Sequence, residues 1–462
     1  MKNKKKIKYE NISKIELLKG IKERKRKKIF PRRFKYSNKN KSKCRYLKKI
    51  LFIAFLLSRI LLIIFFMYKK LLYKNISKSQ HKPNKDNIYH QESFLPLQES
   101  FNNAKNFLKI CLDGIIINNK SLKYSKNPKV TAIVTVHNCK KTISRAIKSI
   151  QNQNISDIEI ILVNDFSTDS TTTIIEDLAK IDPRIKIINN KKNMGTYFSR
   201  SIGTLSARGK YIFHLDNDDM FLNEDSFDTI AKIADKGNFD IVSFKAIFSH
   251  HGPNLLTNGI MENYCSNHTP NLVLFQPELG MYAFRPGKTL DKYEVHGMYI
   301  WTKCVKTSIY QKMIKKVGEE RYTRYMVLDE DRTDIFALYN TAESMKYLGK
   351  YEYLKIQTPA SMTWRRHPRT EAFTCRLYFI DISIDFSRDN AESKNLFVHF
   401  IINLMNWKEL EEVVSKNDYH KKLFISCVER LLKNKYISKD YKKEIKNRIT
   451  KFEFLKEYSI FK

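Results

Sequence analysis

The pattern of apolar and polar residues becomes regular after Pro128. From there, short uninterrupted apolar runs alternate with stretches in which apolar residues recur every three or four positions. The short runs are typical of strands that are buried on both faces of a sheet. They are VTAIVTV (130–136), IEIILV (158–163), IKII (185–188) and YIFHL (211–215). The intervening stretches predict amphipathic helices. We therefore expect an α/β domain with a mostly parallel sheet and helices on both faces.

Helix signals also mark the flanks of this region. A helix is predicted around Leu95–Ile117, and another is expected to follow Gly195 and to stop at Gly209. Residues 385–462 are rich in Lys, Leu, Ile and Asn at helical spacing. They predict a helical extension beyond the α/β domain.

Polar residues follow three of the predicted strands at the points where the strands end. They are Thr135–Asn138, Asn164–Ser167 and Asp216–Asp219. Ligands of open α/β sheets bind beyond the carboxyl ends of the strands, so these residues are expected to meet at one edge. No GxGxxG or Walker motif lies between them, which disfavours a dinucleotide or P-loop site.

Three aspartates fall within four positions in the last of these clusters. Like charges packed this closely repel one another and are costly to remove from water. A divalent cation such as Mg²⁺ or Mn²⁺ would remove the repulsion, because it takes carboxylate oxygens together with phosphate oxygens and water. Asp216 and Asp218 are therefore candidate metal ligands. The alternative is that these acids begin a solvated loop or cap the next helix.

The basic charge of the chain lies mostly outside the α/β region. Of a formal net charge of +37 over 462 residues, residues 1–128 carry +27 and the remaining 334 residues carry +10. A nucleic-acid-binding protein would carry this charge on its folded body, so we expect no nucleic-acid partner. The seven cysteines form no CxxC pair. This argues against a zinc site or a small disulfide scaffold and leaves any disulfide pairing open.

A membrane anchor is predicted near the N-terminus. Residues 50–68 form a 19-residue apolar stretch, which as a helix would be about 28 Å long, close to the ~30 Å hydrocarbon core of a bilayer. Arg59 opposes insertion by ~3 kcal/mol, whereas the Leu, Ile and Phe residues together favour it by roughly 6 kcal/mol. Residues 1–49 hold 22 Lys and Arg, against six in residues 69–85. The positive-inside rule then keeps the N-terminus cytoplasmic and sends the body across the membrane.

Four motifs occur in order along the α/β region. They are a hydrophobic strand that ends in T-x-x-N (135–138), a D-x-S-T-D turn (165–169), N-x-G (193–195) followed by Arg200, and DxD (216–218). Residues 129–225 thereby resemble the nucleotide-sugar-binding half of the family 2 glycosyltransferases, which have the GT-A fold. A looser likeness extends to about residue 370.

This resemblance implies a base and ribose subsite. Thr135 and His137 would border the base and the ribose, and Asp165 would hydrogen-bond the uracil edge. His137 stands where these enzymes often have Tyr, and Asn164 replaces a frequent first Asp. The identity of the base is therefore left open.

The resemblance also implies a diphosphate and metal subsite. Arg200 would lie near the diphosphate, Asp216 would contact the ribose and the metal, and Asp218 would be the main ligand of Mn²⁺ or Mg²⁺. For Arg200 the alternative is a surface charge on an amphipathic helix.

The second half of the chain is expected to supply the acceptor site and a base. Glu330-Asp331 resembles the E-D motif that opens a helix in these enzymes, and the resemblance implies that Asp331 is the general base. The alternative is that both acids only complement the dipole at a helix N-terminus. Asp329 and Asp334 are less favoured candidates.

Two further segments carry polar residues whose roles the sequence leaves open. His296 is either a metal or phosphate contact or a structural residue. Arg365, Arg366 and His367 either close over the diphosphate or form a basic loop.

The expected domains follow from these patterns. They are a basic cytoplasmic tail (1–49), a transmembrane helix (50–68), a stem (69–128), a GT-A domain (129–375) and a helical C-terminal subdomain (376–462).

The expected function is metal-dependent, inverting transfer of a hexosyl or N-acetylhexosaminyl group from a nucleotide sugar, with UDP as the expected nucleotide. The acceptor would be a hydroxyl of a glycan, glycoprotein or glycolipid. The predicted orientation implies a single-pass type II protein with a lumenal domain in the Golgi or endoplasmic reticulum. Two alternatives are a cytosol-facing transferase that acts on a lipid phosphate and a nucleotide-sugar-binding pseudoenzyme.

Overall fold

The computed structural model describes six main ranges of the chain and several short pieces. The ranges are 94–113, 122–249, 299–326, 328–356, 369–387 and 407–450, and the pieces are 261–262, 273–276, 279, 284–286, 293–295, 394, 397–398, 401–402 and 452–455. The predicted cytoplasmic tail, the transmembrane helix at 50–68 and most of the stem lie outside the described residues. Within the described residues, no helix is long and apolar enough to cross a membrane.

The first half of the described chain follows the predicted alternation of strands and helices. Its elements are α1 (Phe94–Leu112), β1 (Val130–Val136), α2 (Ile143–Gln151), β2 (Ile158–Asn164), α3 (Thr171–Ile181), β3 (Ile185–Asn189), α4 (Thr196–Ser206), β4 (Tyr211–Asp216), β5 (Met220–Phe221) and α5 (Ser226–Gly237). Each of the four predicted strands lies within one residue of its expected bounds. Helix α1 ends at Leu112, five residues before the predicted end.

The second half adds seven further described strands, the longest of them β12, and seven helices. The strands are β6 (Ile241–Ser249), β7 (Met261–Glu262), β8 (Val273–Phe275), β9 (Phe284–Pro286), β10 (Tyr293–Val295), β11 (Lys303–Lys306) and β12 (Ser344–Ile356). The helices are α6 (Thr307–Val317), α7 (Glu319–Tyr322), α8 (Glu330–Tyr339), α9 (Arg369–Phe386), α10 (Trp407–Ser415), α11 (Asp418–Lys433) and α12 (Lys439–Ile449). Single 3₁₀ turns lie at Ile300–Thr302 and Glu453–Leu455.

The main sheet has the strand order β3-β2-β1-β4-β11-β6-β12-β5. Strands β3, β2, β1 and β4 are parallel neighbours. Strand β11 runs antiparallel between β4 and β6, and β12 is again parallel to β6. The predicted α/β class is therefore confirmed, whereas the sheet is mixed. Strands β5, β7, β8 and β11 pair antiparallel with their neighbours, which the sequence pattern did not predict.

Alternate residues of the central strands enter two separate cores, which explains their continuous apolar runs. Ala132 and Val134 of β1 pack in the core that contains α2 and α5, whereas Ile133 packs in the core that contains α4, α6 and α8. All three side chains are fully buried. A parallel strand covered by helices on both faces has this pattern.

The glycine predicted to stop α4 has a different role. Helix α4 ends at Ser206, and Gly209 lies three residues further on, against β1. A Cβ atom at this position would lie 2.5 Å from the backbone nitrogen of Thr131. The absence of a side chain thus lets the start of β4 approach β1.

The C-terminal helices share a hydrophobic core with α8. Phe336 of α8 stacks on Phe397 with ring centroids 5.5 Å apart and meets Phe379 of α9 edge to face at 6.0 Å. The predicted boundary between residues 375 and 376 falls inside α9. Helix α9 therefore packs directly on α8, the helix that carries the candidate base, and α10 and α11 pack on α9.

Candidate active site

The register of the sheet brings the three predicted polar clusters to one edge. Val136 lies opposite Asn164 of β2, and Thr135 lies opposite Asp216 of β4. The strand ends are therefore neighbours, as parallel pairing requires. Asn217 adds a bond across this edge, because its side-chain amide donates to the carbonyl oxygen of Thr135 at 2.9 Å.

Three aspartates at the end of β4 and in the turn that follows it, called the acidic turn (216–219), surround a lysine. Their ligand oxygens lie within 4.8 Å of one another. The ammonium of Lys355, on β12, lies 2.9 Å from carboxylate oxygens of both Asp216 and Asp219 and 3.8 Å from one of Asp218. An ammonium of the chain itself therefore offsets part of the repulsion, and a metal ion at this turn stays a prediction.

Asp219 is the structural member of the acidic turn. Its side chain is fully buried and accepts hydrogen bonds from the Tyr353 hydroxyl at 2.7 Å and the Ile356 amide at 2.9 Å. The Tyr353 oxygen in turn accepts a hydrogen bond from the Asp216 amide at 3.1 Å. Hydrogen bonds to β12 therefore hold the turn in place, and the carboxylate of Asp219 accepts two of them.

Burial and the neighbouring cations act in opposite directions on these acids. Burial raises the pKa values of Asp218 and Asp219, and Lys355 opposes that shift. For Asp216, burial is outweighed by Lys355 and Arg200, so its pKa lies below the usual value. Burial would lower the pKa of Lys355, but the surrounding carboxylates raise it well above the ordinary lysine value. Lys355 is therefore charged at neutral pH.

Asp216 and Asp218 fit a hard divalent cation by the chemistry of their oxygens. Their side chains remain 28% and 22% exposed, whereas Asp219 is fully committed to protein donors. Carboxylate oxygens are the ligands that Mg²⁺ and Mn²⁺ prefer. The two partly exposed aspartates are those that the sequence singled out as ligands.

Arg200 of α4 connects the acidic turn to the start of α8. Its guanidinium is only 4% exposed and lies 2.7 Å from Asp331 Oδ1, 3.6 Å from Asp334 Oδ2 and 4.0 Å from Asp216 Oδ1. Burial opposes the charge of Arg200, but Asp331 and Asp334 raise its pKa above the ordinary value. The alternative of a surface charge on α4 is wrong. Arg200 holds the candidate base, in addition to any contact with the diphosphate.

Glu330 and Asp331 open α8, as predicted. The side chain of Asp331 is 20% exposed. Burial raises its pKa, and the Arg200 guanidinium opposes this shift. Asp331 thus combines partial access to the site with a cation that favours its ionised form, which a general base requires.

Asp334 is the buried partner in this network. Its carboxylate accepts a hydrogen bond from the Tyr310 hydroxyl of α6 at 2.8 Å. Burial raises its pKa to about 7, while Arg200 opposes the shift. With 1% of its side chain exposed, Asp334 is poorly placed to reach an acceptor and instead anchors Arg200.

Asp165 orders the loop before α4. Its carboxylate accepts three hydrogen bonds, each of 2.8 Å, from the Asn190 side chain and from the backbone amides of Met194 and Gly195. Gly195 has a φ of 85°, the left-handed region that favours glycine. Asp165 is therefore a structural residue of this edge, and its contact with uracil stays a prediction.

His137 lies on the exposed side of the same edge. Its Nδ1 donates to the backbone carbonyl of Asp165 at 2.8 Å, so Nε2 is the acceptor for the side chains of Asn138 and Asn193 at 3.3 Å. Phe166, the residue after Asp165, has an exposed ring and a φ of 60°. The imidazole is thus hydrogen-bonded to the backbone of the residue that precedes this exposed phenyl ring.

Sequence reasoning missed Lys355, Tyr310 and Phe166. For Lys355 a signal exists, because it lies two positions after Tyr353 in YEYLKI and therefore falls on the same face of the strand as that buried tyrosine. A lysine in register with a buried tyrosine is unusual unless it has a partner.

Several predicted residues gain no structural account. His296 and the cluster 365–367 lie outside the described residues. The described cysteines, Cys111, Cys139, Cys304, Cys375 and Cys427, are buried and form no disulfide with one another.

The sequence of the α/β region matches a known family. Residues 131–287 match the family model for glycosyl transferase family 2. This range is therefore similar to family 2 glycosyltransferase domains. The acidic turn belongs to the matched range, whereas Asp331 and Lys355 lie beyond it.

Curated bacterial relatives carry the same kind of name. An uncharacterized glycosyltransferase of Haemophilus influenzae is 44% identical over 93 residues, covering 20% of this chain and 29% of that protein. The uncharacterized glycosyltransferase EpsJ of Bacillus subtilis is 28% identical over 51% of this chain and 63% of its own length. A GalNAc(5)-diNAcBac-PP-undecaprenol beta-1,3-glucosyltransferase of Campylobacter jejuni is 36% identical over 24% of this chain and 36% of its own. This chain therefore spans less than two thirds of the length of each.

Among solved structures, the chain is similar to S. aureus TarS 1–349 in complex with UDP-GlcNAc. The TM-score is 0.47 at 16% sequence identity, with 66% of this chain and 81% of that chain covered.

Proposed function

We propose that the family 2 domain, with the GT-A fold, transfers a sugar from a nucleoside diphosphate donor to an acceptor hydroxyl. The observation that supports this most directly is the bridge formed by Arg200. One guanidinium contacts Asp331, the candidate base, and lies 4.0 Å from Asp216, the candidate donor and metal residue. Donor-side and acceptor-side chemistry thus share one site.

On the donor side, Asp216 and Asp218 would hold a divalent cation, Mn²⁺ or Mg²⁺. When bound, the cation supplies positive charge for the departing diphosphate. The exposed faces of His137 and Phe166 support a base subsite beside Thr135, and UDP is the nucleotide that the resemblance favours.

On the acceptor side, Asp331 takes the proton of the attacking hydroxyl. The acceptor oxygen forms a bond to the anomeric carbon while the bond from that carbon to the diphosphate oxygen breaks. The nucleoside diphosphate leaves with the electron pair, and a single displacement of this kind inverts the anomeric centre. Arg200 keeps Asp331 ionised and oriented for this step.

The acceptor is proposed to be a glycan linked to a membrane lipid. The C. jejuni relative is named for an acceptor on undecaprenyl diphosphate, and residues 50–68 are predicted to anchor this chain to a membrane. The relatives described above are bacterial and lend no support to a Golgi location. Protease protection of the body in sealed vesicles separates the predicted orientation, with the body across the membrane, from the cytosol-facing alternative.

The experiment is a screen of nucleotide sugars for release of nucleoside diphosphate by the full chain, with Mn²⁺ or Mg²⁺ added. Asp218→Asn and Asp331→Asn should each lower turnover by about 10²–10⁴-fold. Asp177→Asn is the matched control, because Asp177 is 62% exposed on α3. Its activity should equal that of the wild type.

Two outcomes would contradict the proposal. Full activity of Asp331→Asn would remove this residue as the base. If the folded wild-type protein releases no nucleoside diphosphate from any nucleotide sugar, with or without a lipid-linked acceptor, the pseudoenzyme alternative is favoured instead.

A further inference from the structure

We infer that Lys355 keeps the affinity of the acidic turn for divalent cations low until a nucleoside diphosphate is bound. The inference rests on the proposed function, because it concerns the metal and donor subsite of the same reaction. Lys355 lies outside the residues that match the family model, so the match itself assigns it no role.

The position of Lys355 among the aspartates is the first observation. Its side chain is 11% exposed, and its ammonium is within 2.9 Å of Asp216 and Asp219 and 3.8 Å of Asp218. The carboxylate oxygens that a cation would use are thus already shared with a charge of the same sign. A divalent cation bound to Asp216 and Asp218 would lie within a few ångströms of the ammonium and be repelled by it.

The rigidity of Lys355 is the second observation. Its neighbours Leu354 and Ile356 belong to a strand that pairs with β6, and Leu354 also pairs with Met220 of β5. Tyr353 and Ile356, on either side, bond to Asp219. The backbone that carries Lys355 is therefore tied to the same turn, and the ammonium cannot leave without breaking two short ion pairs.

The net charge then decides when a cation can bind. The ammonium of Lys355, together with Arg200 at 4.0 Å from Asp216 and Arg145 bonded to the backbone oxygen of Asp218, leaves the three carboxylates a modest negative charge for a divalent cation in the free protein. A nucleoside diphosphate adds negative charge and phosphate oxygens at the same place, which offsets the repulsion from Lys355. Cation and donor are therefore expected to bind together, with Lys355 remaining beside the diphosphate.

The test is a titration of the full chain with Mn²⁺ alone, in which electron paramagnetic resonance measures the concentration of free Mn²⁺. Lys355→Met should bind Mn²⁺ at least tenfold more tightly than the wild type, because the repelling charge is gone. Lys355→Arg keeps the charge and should stay within threefold of the wild type. Lys350→Met, an exposed lysine of the same strand, is the matched control and should also be unchanged. Equal or weaker Mn²⁺ binding by Lys355→Met would overturn the inference.

A second measurement needs only the wild-type protein and covers the case in which Lys355→Met does not fold. Without nucleotide, the wild type should bind Mn²⁺ with a Kd of about 10⁻⁴–10⁻³ M, the range of weak oxygen-ligand sites, and a Kd below about 10⁻⁵ M would overturn the inference. Addition of UDP should tighten Mn²⁺ binding at least tenfold, and no change would also overturn it. None of these readouts uses sugar transfer, so a failed nucleotide-sugar screen and a failed Mn²⁺ titration are separate results.

Discussion

Replacement of Arg200 by methionine tests how the site is held together. Methionine retains the apolar stem but removes the guanidinium that contacts Asp331 at 2.7 Å and Asp334 at 3.6 Å. Both carboxylates then lose their cation. Asp334 is the more affected, because only 1% of its side chain is exposed and water cannot replace the lost partner.

The magnitude follows from breaking a buried ion pair while one partner remains. Such a change costs about 3–5 kcal/mol, because it leaves an uncompensated buried charge. We therefore expect the free energy of unfolding of Arg200→Met to fall by about 3–5 kcal/mol at pH 8. Addition of Asp334→Asn in the same chain removes that charge and should recover at least about 1 kcal/mol.

The pH dependence has a definite sign. Loss of the guanidinium raises the folded pKa values of Asp331 and Asp334, so the folded variant binds more protons than the folded wild type. The destabilisation should therefore be smaller at pH 5 than at pH 8. In the transfer reaction, the acid limb of kcat/KM should move to higher pH, because Asp331 must be ionised to act as a base.

The assays are urea unfolding followed by circular dichroism, and kcat/KM for nucleoside diphosphate release between pH 5 and 9. Arg184→Met is the matched control, because Arg184 is equally buried and pairs with Asp182 at 2.8 Å without contacting the site. It should lose stability but keep the pH profile. A loss below 1 kcal/mol in Arg200→Met, or an unshifted acid limb, would refute the roles given to Arg200.

Three further variants probe the fold around the site. Asp165→Asn should lower the free energy of unfolding by about 2 kcal/mol in urea titrations. The NH₂ group of asparagine cannot accept a hydrogen bond, so an N–H donor that the carboxylate satisfied loses its acceptor. Gly209→Ala should cost at least about 2 kcal/mol, since its Cβ would lie 2.5 Å from the Thr131 nitrogen. Phe336→Ala should cost about 3–5 kcal/mol and unfold the C-terminal helices together with the domain, because Phe336 stacks on Phe397 at 5.5 Å.

Each of these expectations has a clear contrary result. Wild-type stability of Asp165→Asn combined with a large rise in donor KM would show that this carboxylate serves the donor and not the loop. Unchanged stability of Gly209→Ala would mean that β4 can move away from β1 at little cost. Two separate unfolding transitions in Phe336→Ala would show that the C-terminal helices fold independently.

The sequence predicted the elements of the first half because their signals are local. The apolar runs of β1, β2, β3 and β4 reveal burial on both faces, and a parallel sheet then brings the strand ends together. The nearness of Thr135, Asp165 and Asp216 thus followed from pattern and sheet geometry. The opening of α8 by Glu330-Asp331 was likewise visible in a few adjacent residues.

The roles of single charged residues could not be predicted as well from the sequence, because the role of a charged side chain depends on the residues that surround it in the fold. On sequence grounds, Arg200 was either near a diphosphate or on a surface, and burial against Asp331 and Asp334 decided against the surface. Asp219 and Asp218 are adjacent and identical in type. Only the fold shows that one is a clamp bonded to β12 while the other stays partly exposed.

By itself, then, the sequence determined the α/β alternation, the edge at which the site forms and the acids that gather there. The tertiary structure alone decided which cation stands among those acids. Lys355 is 139 residues from Asp216 along the chain, and no local spacing relates the two. Their contact depends on the pairing of β12 with β6 and β5, and strand register of this kind is set by packing across the whole sheet.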